Sequence, residues 1–414
     1  MFQILGAVWA LLLGMTLIMI GNGMQATLMG VRGGIEGFST LDLAVITSGY
    51  FVGFLAGSRL APHMIRQVGH VRVFAALGSF MSAGLIAFPL LSDPWIWSIL
   101  RVAIGFCMSG IYVTSESWLN NAATNATRGK VLGIYMIAQT LGGLAGQGML
   151  NLASPDDFTL FVLASIVVSL AFAPILLSAK PVPAAEKIRP MSLRRLYDVS
   201  PLGTVGLFLL GIVFSAQAGM GAVYGQAAGL GVGQIATFVS ALIVGALITH
   251  LPIGWLSDRM DRRRLIMGAS VLGALACILG GLSQGAFGLI LIAALGVGGV
   301  IAPLYSLLIA YVNDYLEFED MPAASGGLVF VYGAGAMTGP LIAGQVMELT
   351  GPAGFWLVLG LSFVSVVLFG IWRMLRRPDG PDEESAYVGT MPTGSYVAIE
   401  TVSDLGHEEE EGAS

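Results

Sequence analysis

The chain has 414 residues, of which 56% are hydrophobic and only 11% are charged, and its formal net charge at pH 7 is −6. Because soluble domains carry about 25% charged residues, this composition excludes a water-soluble protein and predicts one embedded in a membrane. The few basic residues form no patch interleaved with aromatic residues, which argues against a nucleic-acid partner.

Twelve apolar segments follow one another along the chain, each close to the ~20 residues that a helix needs to cross a bilayer. The first six lie near residues 4–31, 41–62, 73–91, 94–118, 129–152 and 158–179, and the last six near 201–226, 232–256, 264–283, 286–312, 323–348 and 353–373. They predict an all-α polytopic membrane protein with twelve transmembrane helices.

These segments divide the chain into four regions. We expect an N-terminal six-helix bundle at 1–179, a cytoplasmic linker at 180–200, a C-terminal six-helix bundle at 201–377 and an acidic cytoplasmic tail at 378–414. The tail is polar and contains too few apolar residues to fold alone. It is therefore predicted to be disordered and dispensable for insertion and transport.

Lys and Arg are distributed unevenly over the two sides of the predicted spans. If the N-terminus is cytoplasmic, every one of the 19 basic residues except Arg32 and Arg101 lies on the cytoplasmic side. Cytoplasmic loops are enriched in Lys and Arg, so both termini are predicted to be cytoplasmic. The connection at 314–320 is acidic and falls on the same side, but Asp and Glu contribute little to this rule.

The two halves carry matching residues when they are aligned at an offset of 192 to 193 positions. The pairs in chain order are Gly53 and Gly245, Arg72 and Arg264, Gly105 and Gly298, Tyr112 and Tyr305, Asn120 and Asn313, Gly133 and Gly326, Gly142 and Gly335, and Gly146 and Gly339. Their order and offset predict two six-helix repeats related by an axis along the membrane normal.

Arg101 is an unusual charge, because it follows Pro94 by seven residues and so lies about 10 Å into the fourth span. A charge at this depth is costly and usually faces a cavity. Two interpretations stay open: a residue that holds an anionic group, or a structural arginine near the interface. Glu116, at the other end of the same span, is either a protonatable carboxylate or the partner of a cytoplasmic arginine.

Other polar side chains lie within the predicted spans. They are Asn22, Gln25, Tyr112, Gln139, Gln217, Tyr224, Tyr305 and Tyr332. Buried amides and hydroxyls need hydrogen-bond partners, which a substrate, a water molecule or a neighbouring helix can provide. They are the candidates for substrate contact, with interhelical packing as the alternative for each.

The connection between the eighth and ninth spans carries a specific motif. Residues 254–264 read GWLSDRMDRRR and resemble the major facilitator signature G-x-x-x-D-R-x-G-R-R. The matching positions are Gly254, Asp258, Arg259, Arg262 and Arg263, and Asp261 stands where the family has Gly. The resemblance implies a tight cytoplasmic turn, here called the gating loop, whose charges pair across helix ends and hold one state of a transport cycle. Ordinary topology is the alternative.

The first half carries a weaker copy of this motif. Residues 62–72 keep Gly69 and Arg72, but Arg66 replaces the aspartate. Together with residues 48–53 and 116–117, this copy resembles the bacterial YcaD-like subgroup of major facilitator transporters. The resemblance implies a multi-pass protein of the bacterial inner membrane that functions as a monomer.

Two further patterns bear on energy coupling. Arg101 and Gly105 fit the family's R-x-x-x-G pattern, which is associated with protons. Gly142 and Gly146 approach an antiporter signature, but Gln147 stands where Pro is expected. Helix packing through small residues explains these glycines equally well, so proton coupling and antiport stay open.

The resemblance favours a secondary transporter that moves a small molecule by alternating access. The alternative is a non-transporting membrane sensor or a lipid-moving protein, because a fold does not determine a function. The sequence contains no phosphate-binding loop or catalytic set, and its two cysteines and four histidines show no ligand spacing. We therefore expect neither an enzyme nor a bound cofactor or metal.

Topology is the first testable prediction. A reporter fused after Arg377 should be active only in the cytoplasm, because the uneven distribution of Lys and Arg orients both termini inward. Green fluorescent protein and alkaline phosphatase fusions at this position measure the two sides. Phosphatase activity from that fusion would contradict the topology.

Overall fold

The computed structural model describes residues 2–123, 125–178, 191–316, 320–376, 389–395 and 397–399. Its first half contains α1 (Phe2–Ile35), α2 (Thr40–Val68), α3 (His70–Ala87), α4 (Pro94–Ala122), α5 (Asn125–Met149), α6 (Thr159–Leu170) and α7 (Phe172–Ser178). The second half contains α8 (Leu193–Val199), α9 (Pro201–Ala227), α10 (Val232–Ser257), α11 (Arg262–Gly281), α12 (Phe287–Asn313), α13 (Met321–Thr350) and α14 (Ala353–Arg376). No β-strand occurs among these described residues.

Eleven helical segments within the described residues are long and apolar enough to cross a membrane, and one of them is formed by α6 and α7 together. The remaining span is α5, which has 25 residues and packs against α1. Its first turns contain Arg128 and Lys130, which lower its hydropathy. The prediction of an all-α membrane protein with twelve transmembrane helices is confirmed.

Contacts between residues divide the chain into two compact units. The first unit comprises Met1–Glu186 with Ala218–Ser240, and the second comprises Lys187–Gln217 with Ala241–Ser414. The boundaries fall inside α9 and α10, so each of these helices contributes residues to both units.

In the first unit, α2 and α4 approach until their backbones touch. A methyl group at Gly53 would overlap the carbonyl oxygen of Val102, and one at Gly105 would overlap the carbonyl oxygen of Tyr50. Lipid supplies no hydrophobic drive between helices, so close van der Waals contact through small residues takes its place.

The second unit repeats this contact at the predicted offset. A methyl group at Gly245 would overlap the carbonyl oxygen of Leu295, and one at Gly298 would overlap that of Leu242. Leu295 and Leu242 are the repeat equivalents of Val102 and Tyr50. The α10–α12 pair is therefore built as the α2–α4 pair is, which confirms the internal repeat at these helices.

A second pair of helices follows the same rule. A Cβ at the α5 and α13 glycines would clash with carbonyl oxygens of α1 and α9, in the pairs Gly142 with Thr16, Gly146 with Ile20, Gly335 with Phe208, and Gly339 with Ile212. Gln147 is buried in the α1–α5 interface, where its Nε2 donates to the Gly23 carbonyl at 2.8 Å and its Oε1 accepts from Thr27 at 2.9 Å. These α5 residues therefore serve helix packing, whatever their part in coupling.

Two boundaries differ from the sequence prediction. The second helix runs to Val68 rather than ending near residue 62, because the largely exposed residues 63–68 continue it for nearly two more turns. The chain then turns at Gly69, whose φ of +84° favours glycine.

The predicted linker at 180–200 is not all extended chain. Its last residues form α8, capped by the Ser192 hydroxyl, with Leu196 buried. The backbone N–H of Met191 donates to the carbonyl of Ala323 at 2.7 Å, and Arg195 pairs with Asp320 at 2.5 Å. These bonds hold α8 against α13, and residues 180–190 lie outside the described part.

The prediction of a tail disordered throughout is wrong for one segment. Residues 389–395 and 397–399 are folded against the second unit, with Thr390 only 3% exposed and Ile399 fully buried. Their burial provides the apolar contact that the tail lacks by itself. The other predicted tail residues, 378–388, 396 and 400–414, lie outside the described part.

The glycine contacts generate a stability prediction. Gly53→Ala should destabilise the protein by about 1–3 kcal/mol, because the added methyl group must push α2 away from α4. The measurement is the Tm of the detergent-purified protein.

The matched control is Gly268→Ala on α11, where a Cβ meets nothing within 4 Å. This control should keep or raise the Tm, since Ala favours helix over Gly by about 1 kcal/mol. Equal Tm values for the two variants would contradict the role of the α2–α4 contact.

Candidate functional site

Three helices of the first unit converge on the side chain of Arg101. The guanidinium is only 5% exposed, and its Nη1 donates to Oε1 of Gln25 on α1 at 2.7 Å. It also lies over the ring of Tyr50 on α2, with Cζ 4.6 Å from the ring centroid. The structure thus brings together Arg101 and Gln25, two of the predicted residues, and adds Tyr50.

The predicted residue Asn22 completes this group, here called the Arg101 cluster: Asn22, Gln25, Tyr50 and Arg101. The Asn22 side chain lies next to the hydroxyl of Tyr50, and Asn22 lies about one turn from Gln25 on α1. The cluster therefore combines one positive charge with two amides and a phenol.

Unused hydrogen-bonding groups remain in the cluster. Nε of Arg101 and Nε2 of Gln25 are buried, and neither finds an acceptor among the described residues. No carboxylate in that part of the chain pairs with Arg101. A buried charge and buried N–H groups without acceptors are costly, so the cluster is suited to accept an anionic ligand.

Two more predicted residues lie in the first unit. Tyr112 is 1% exposed, and its ring reaches the Arg101 cluster through Phe54, which lies 6.1 Å from both Tyr112 and Tyr50 between ring centroids. Gln139 on α5 is 3% exposed, and its Oε1 has no donor among the described residues. Both positions are compatible with ligand contact.

The predicted residues of the second half do not form one cluster. The rings of Tyr305 and Tyr332 meet edge to face at 4.9 Å, and the hydroxyl of Tyr332 is buried without a partner among the described residues. The ring of Tyr224 packs on that of Phe238, with 5.5 Å between the ring centroids, and both residues belong to the first unit. Gln217 is half-buried on α9 and belongs to the second unit.

The gating loop is a tight turn between α10 and α11. Asp261, where the family motif has Gly, caps α11 by accepting from the backbone N–H of Arg264 at 3.1 Å. Arg259 stacks on Trp255 with its Cζ 4.1 Å from the ring centroid. Asp258 bonds its backbone N–H to the Gly254 carbonyl at 3.3 Å, which closes the turn.

An ion pair ties this loop to the end of α12. Nη1 of Arg262 contacts both carboxylate oxygens of Asp314, at 2.5 and 2.6 Å, and the two side chains are 1% and 0% exposed. Nη2 of the neighbouring Arg263 donates to the hydroxyl of Tyr315 at 2.5 Å. An ion pair across helix ends is therefore present for Arg262, and beside it Arg263 forms a hydrogen bond to a neutral hydroxyl.

Three of these partners, Tyr50, Asp314 and Tyr315, are not among the residues predicted from the sequence. Asp314 and Tyr315 belong to the acidic connection that was set aside as an exception to the charge rule. An acidic stretch on the same side as a basic loop is the signal that pairs them. Tyr50 lies inside the subgroup-like stretch 48–53, but its pattern alone does not distinguish a ligand-facing ring from a buried one.

The first-half positions are less connected. Gly69 forms the α2–α3 turn, and Arg72 is exposed on α3. Glu116 is buried on α4 and accepts from the hydroxyl of Tyr135 at 3.5 Å. Both earlier interpretations of Glu116, as a proton carrier and as the partner of an arginine, stay open.

The buried ion pair generates a prediction. Asp314→Asn removes the carboxylate charge opposite buried Arg262 and should cost about 3–5 kcal/mol of stability. Asp320→Asn is the matched control, because its partner Arg195 is 59% exposed and exposed pairs contribute about 0–1 kcal/mol. Thermal unfolding in detergent measures both variants, and equal losses would refute the importance of the buried pair.

Comparison with known proteins supports the same kind of fold. Two crystal structures of the nucleoside transporter NupG, the first of a mutant, superpose with TM-scores of 0.77 and 0.70, at 12% and 15% identity, each covering 88% of this chain and 98–99% of that chain. An inward-facing bacterial homolog of the human lysosomal transporter Spinster gives a TM-score of 0.64 at 15% identity, covering 95% and 97%. At these identities the likeness concerns the fold alone.

Sequence relatives and family models name the family. Residues 203–395 match the model of the Major Facilitator Superfamily, and residues 7–178 match that of Sugar (and other) transporters. The uncharacterized MFS-type transporter YfkF of Bacillus subtilis is 26% identical over 79% of this chain and 84% of its own length, and YcaD of Escherichia coli is 25% identical over 87% and 94%. The chain belongs to the major facilitator superfamily and resembles its YcaD-like members.

Proposed function

We propose that this protein is a secondary active transporter that moves a small organic anion by alternating access. The observation that carries the proposal is Arg101, a buried guanidinium that no carboxylate among the described residues neutralises. Membership of the major facilitator superfamily supports membrane transport. The charge at the cluster supports the choice of an anion as substrate.

Energetics favour an anionic ligand at Arg101. Arginine keeps its charge at physiological pH, and burial of an unpaired charge inside a membrane protein is costly. A carboxylate or phosphate on the substrate offsets this cost when it binds. Binding of such a group thus compensates a buried charge that no described carboxylate neutralises.

The geometry of the cluster supports recognition of a planar, bidentate group. Tyr50 covers the face of the guanidinium, which leaves its N–H edge for acceptors. Nε of Arg101 and Nε2 of Gln25 are the donors without partners in the described structure. Arginine commonly donates two parallel hydrogen bonds to a carboxylate or phosphate. Here Nε of Arg101 offers one such donor, and the Gln25 amide offers another.

We also propose that transport is coupled to protons and that Glu116 carries the proton. Among the described acidic residues, Glu116 alone lies inside a spanning helix and away from its ends, and it is 1% exposed. A buried carboxylate can take up and release a proton during the cycle, whereas arginine does not. We further propose that the protein works as a monomer in the bacterial inner membrane, with both termini in the cytoplasm.

Alternating access requires an element that stabilises one state. We assign this role to the gating loop, because its Arg262–Asp314 pair is buried and well aligned. The bacterial homolog of Spinster was solved in an inward-facing conformation. We assign to the gating loop the role of stabilising one such conformation against another.

The experiment is uptake into proteoliposomes. Monocarboxylates, dicarboxylates, organic phosphates and uncharged nucleosides are tested with and without an inward proton gradient. We expect an anion to be taken up, and uptake to rise with the gradient. Uptake of uncharged nucleosides alone would refute the anion proposal, and lipid scrambling without solute uptake would favour the alternative function.

Arg101 variants test the site itself. Arg101→Ala should insert normally and fail to transport the anion, and Arg101→Lys should reduce uptake about 10-fold or more, since it keeps the charge but loses the planar fork. Arg376→Ala, which removes an exposed arginine at the end of α14, is the control. Wild-type uptake by the alanine variant would reduce Arg101 to a structural residue.

A further inference from the structure

A stretch of the C-terminal region lies inside the second unit. The backbone N–H of Thr390 donates to Oγ of Ser306 at 2.9 Å, and that hydroxyl donates to the carbonyl of Thr390 at 3.0 Å. The neighbouring Gly389 lies against the ring of His250, where a side chain on residue 389 would overlap the imidazole. Both contacts are between distant parts of the chain.

These contacts lie deep between helices. Ser306 precedes the end of α12 at Asn313 by seven residues, and His250 precedes the end of α10 at Ser257 by the same number. At 1.5 Å per residue each lies about 10 Å inside its helix. The two helices are neighbours, because the Thr249 hydroxyl donates to the carbonyl of Gly299 at 2.6 Å.

The segment has a defined conformation of its own. The backbone N–H of Gly394 donates to the carbonyl of Met391 at 2.9 Å. The backbone N–H groups of Ala398 and Ile399 donate to the carbonyl of Ser395 at 3.1 and 3.3 Å. The Ser395 hydroxyl also accepts from the backbone N–H of Val397 at 3.2 Å. Two consecutive turns thus satisfy backbone groups that would otherwise be buried without partners.

Burial and composition agree with insertion. Thr390, Ser395, Val397, Ala398 and Ile399 are all less than 9% exposed. Between Glu384 and Glu400 the sequence contains no charged residue, although the tail around this stretch is acidic. Absence of charge makes it the part of the tail that can enter an apolar cleft at low cost.

We propose that α10 and α12 form a peptide-binding cleft whose ligand is the chain's own C-terminal stretch, residues 389–395 and 397–399, and that this segment must leave before transport proceeds. Ser306, which the segment engages through both of its hydrogen bonds, follows the candidate substrate residue Tyr305 directly in α12. The binding part of the proposal stands on the contacts alone, and only the inhibition rests on the proposed function.

Cross-linking in the full-length protein tests the binding. Thr390→Cys combined with Ser306→Cys should form an intramolecular disulfide in oxidised membrane vesicles, detected by mass spectrometry. Thr390→Cys combined with Ser365→Cys, on an exposed face of α14, is the control and should stay reduced. Equal cross-linking of both pairs, or none of the first, would overturn the cleft.

Transport by the same variant tests the inhibition. The oxidised Thr390→Cys, Ser306→Cys protein should lose anion uptake, and reduction should restore it. In an otherwise wild-type full-length chain, Ile399→Asp should expel the segment and raise the initial uptake rate several-fold. Unchanged uptake on oxidation would overturn the inhibitory role. If no anion is transported by any variant while the disulfide still forms, the proposed function fails and the peptide-binding cleft stands.

Discussion

Contact between helix backbones at glycine is the constraint on which the rest of this structure depends. In lipid, apolar side chains gain little by leaving one apolar surface for another, so helices associate where their backbones can touch. Gly53 and Gly105 allow this for α2 and α4. The Arg101 cluster follows from it: Gly105 lies one turn beyond Arg101 and rests on the backbone of Tyr50, which places the Tyr50 ring beside the guanidinium.

The repeat preserves this scaffold but not the charge. The glycine contacts recur in the second unit, and Gln25 has its equivalent in Gln217. The equivalents of Arg101 and Tyr50 are Ala294 and Leu242. The second unit therefore has no equivalent of the positive charge at Arg101. The two units thus share their helix packing but carry different polar residues at the equivalent positions.

Two arginines illustrate how burial and pairing together indicate a role. Arg262 and Arg101 are both almost fully buried. Arg262 donates to both oxygens of the buried Asp314 carboxylate. Its charge is therefore compensated inside the protein, and its role is to hold helix ends together. Arg101 has an amide and an aromatic face but no carboxylate among the described residues, and its uncompensated charge points to a ligand.

The sequence by itself determined the features that depend on local composition. Hydropathy predicted twelve spans because the bilayer requires long apolar helices, and constant spacing of glycines predicted which contacts would repeat. It also singled out Arg101, since a charge inside a span is rare.

Only the tertiary structure decided which side chains meet. Tyr50 and Gln25 reach Arg101 from other helices, and Asp314 reaches Arg262 across a gap of 52 residues. Residues 389–395 and 397–399 are held by contacts with α10 and α12. Such partners lie far apart in the chain, so no local pattern encodes them, and they are brought together when the helices pack.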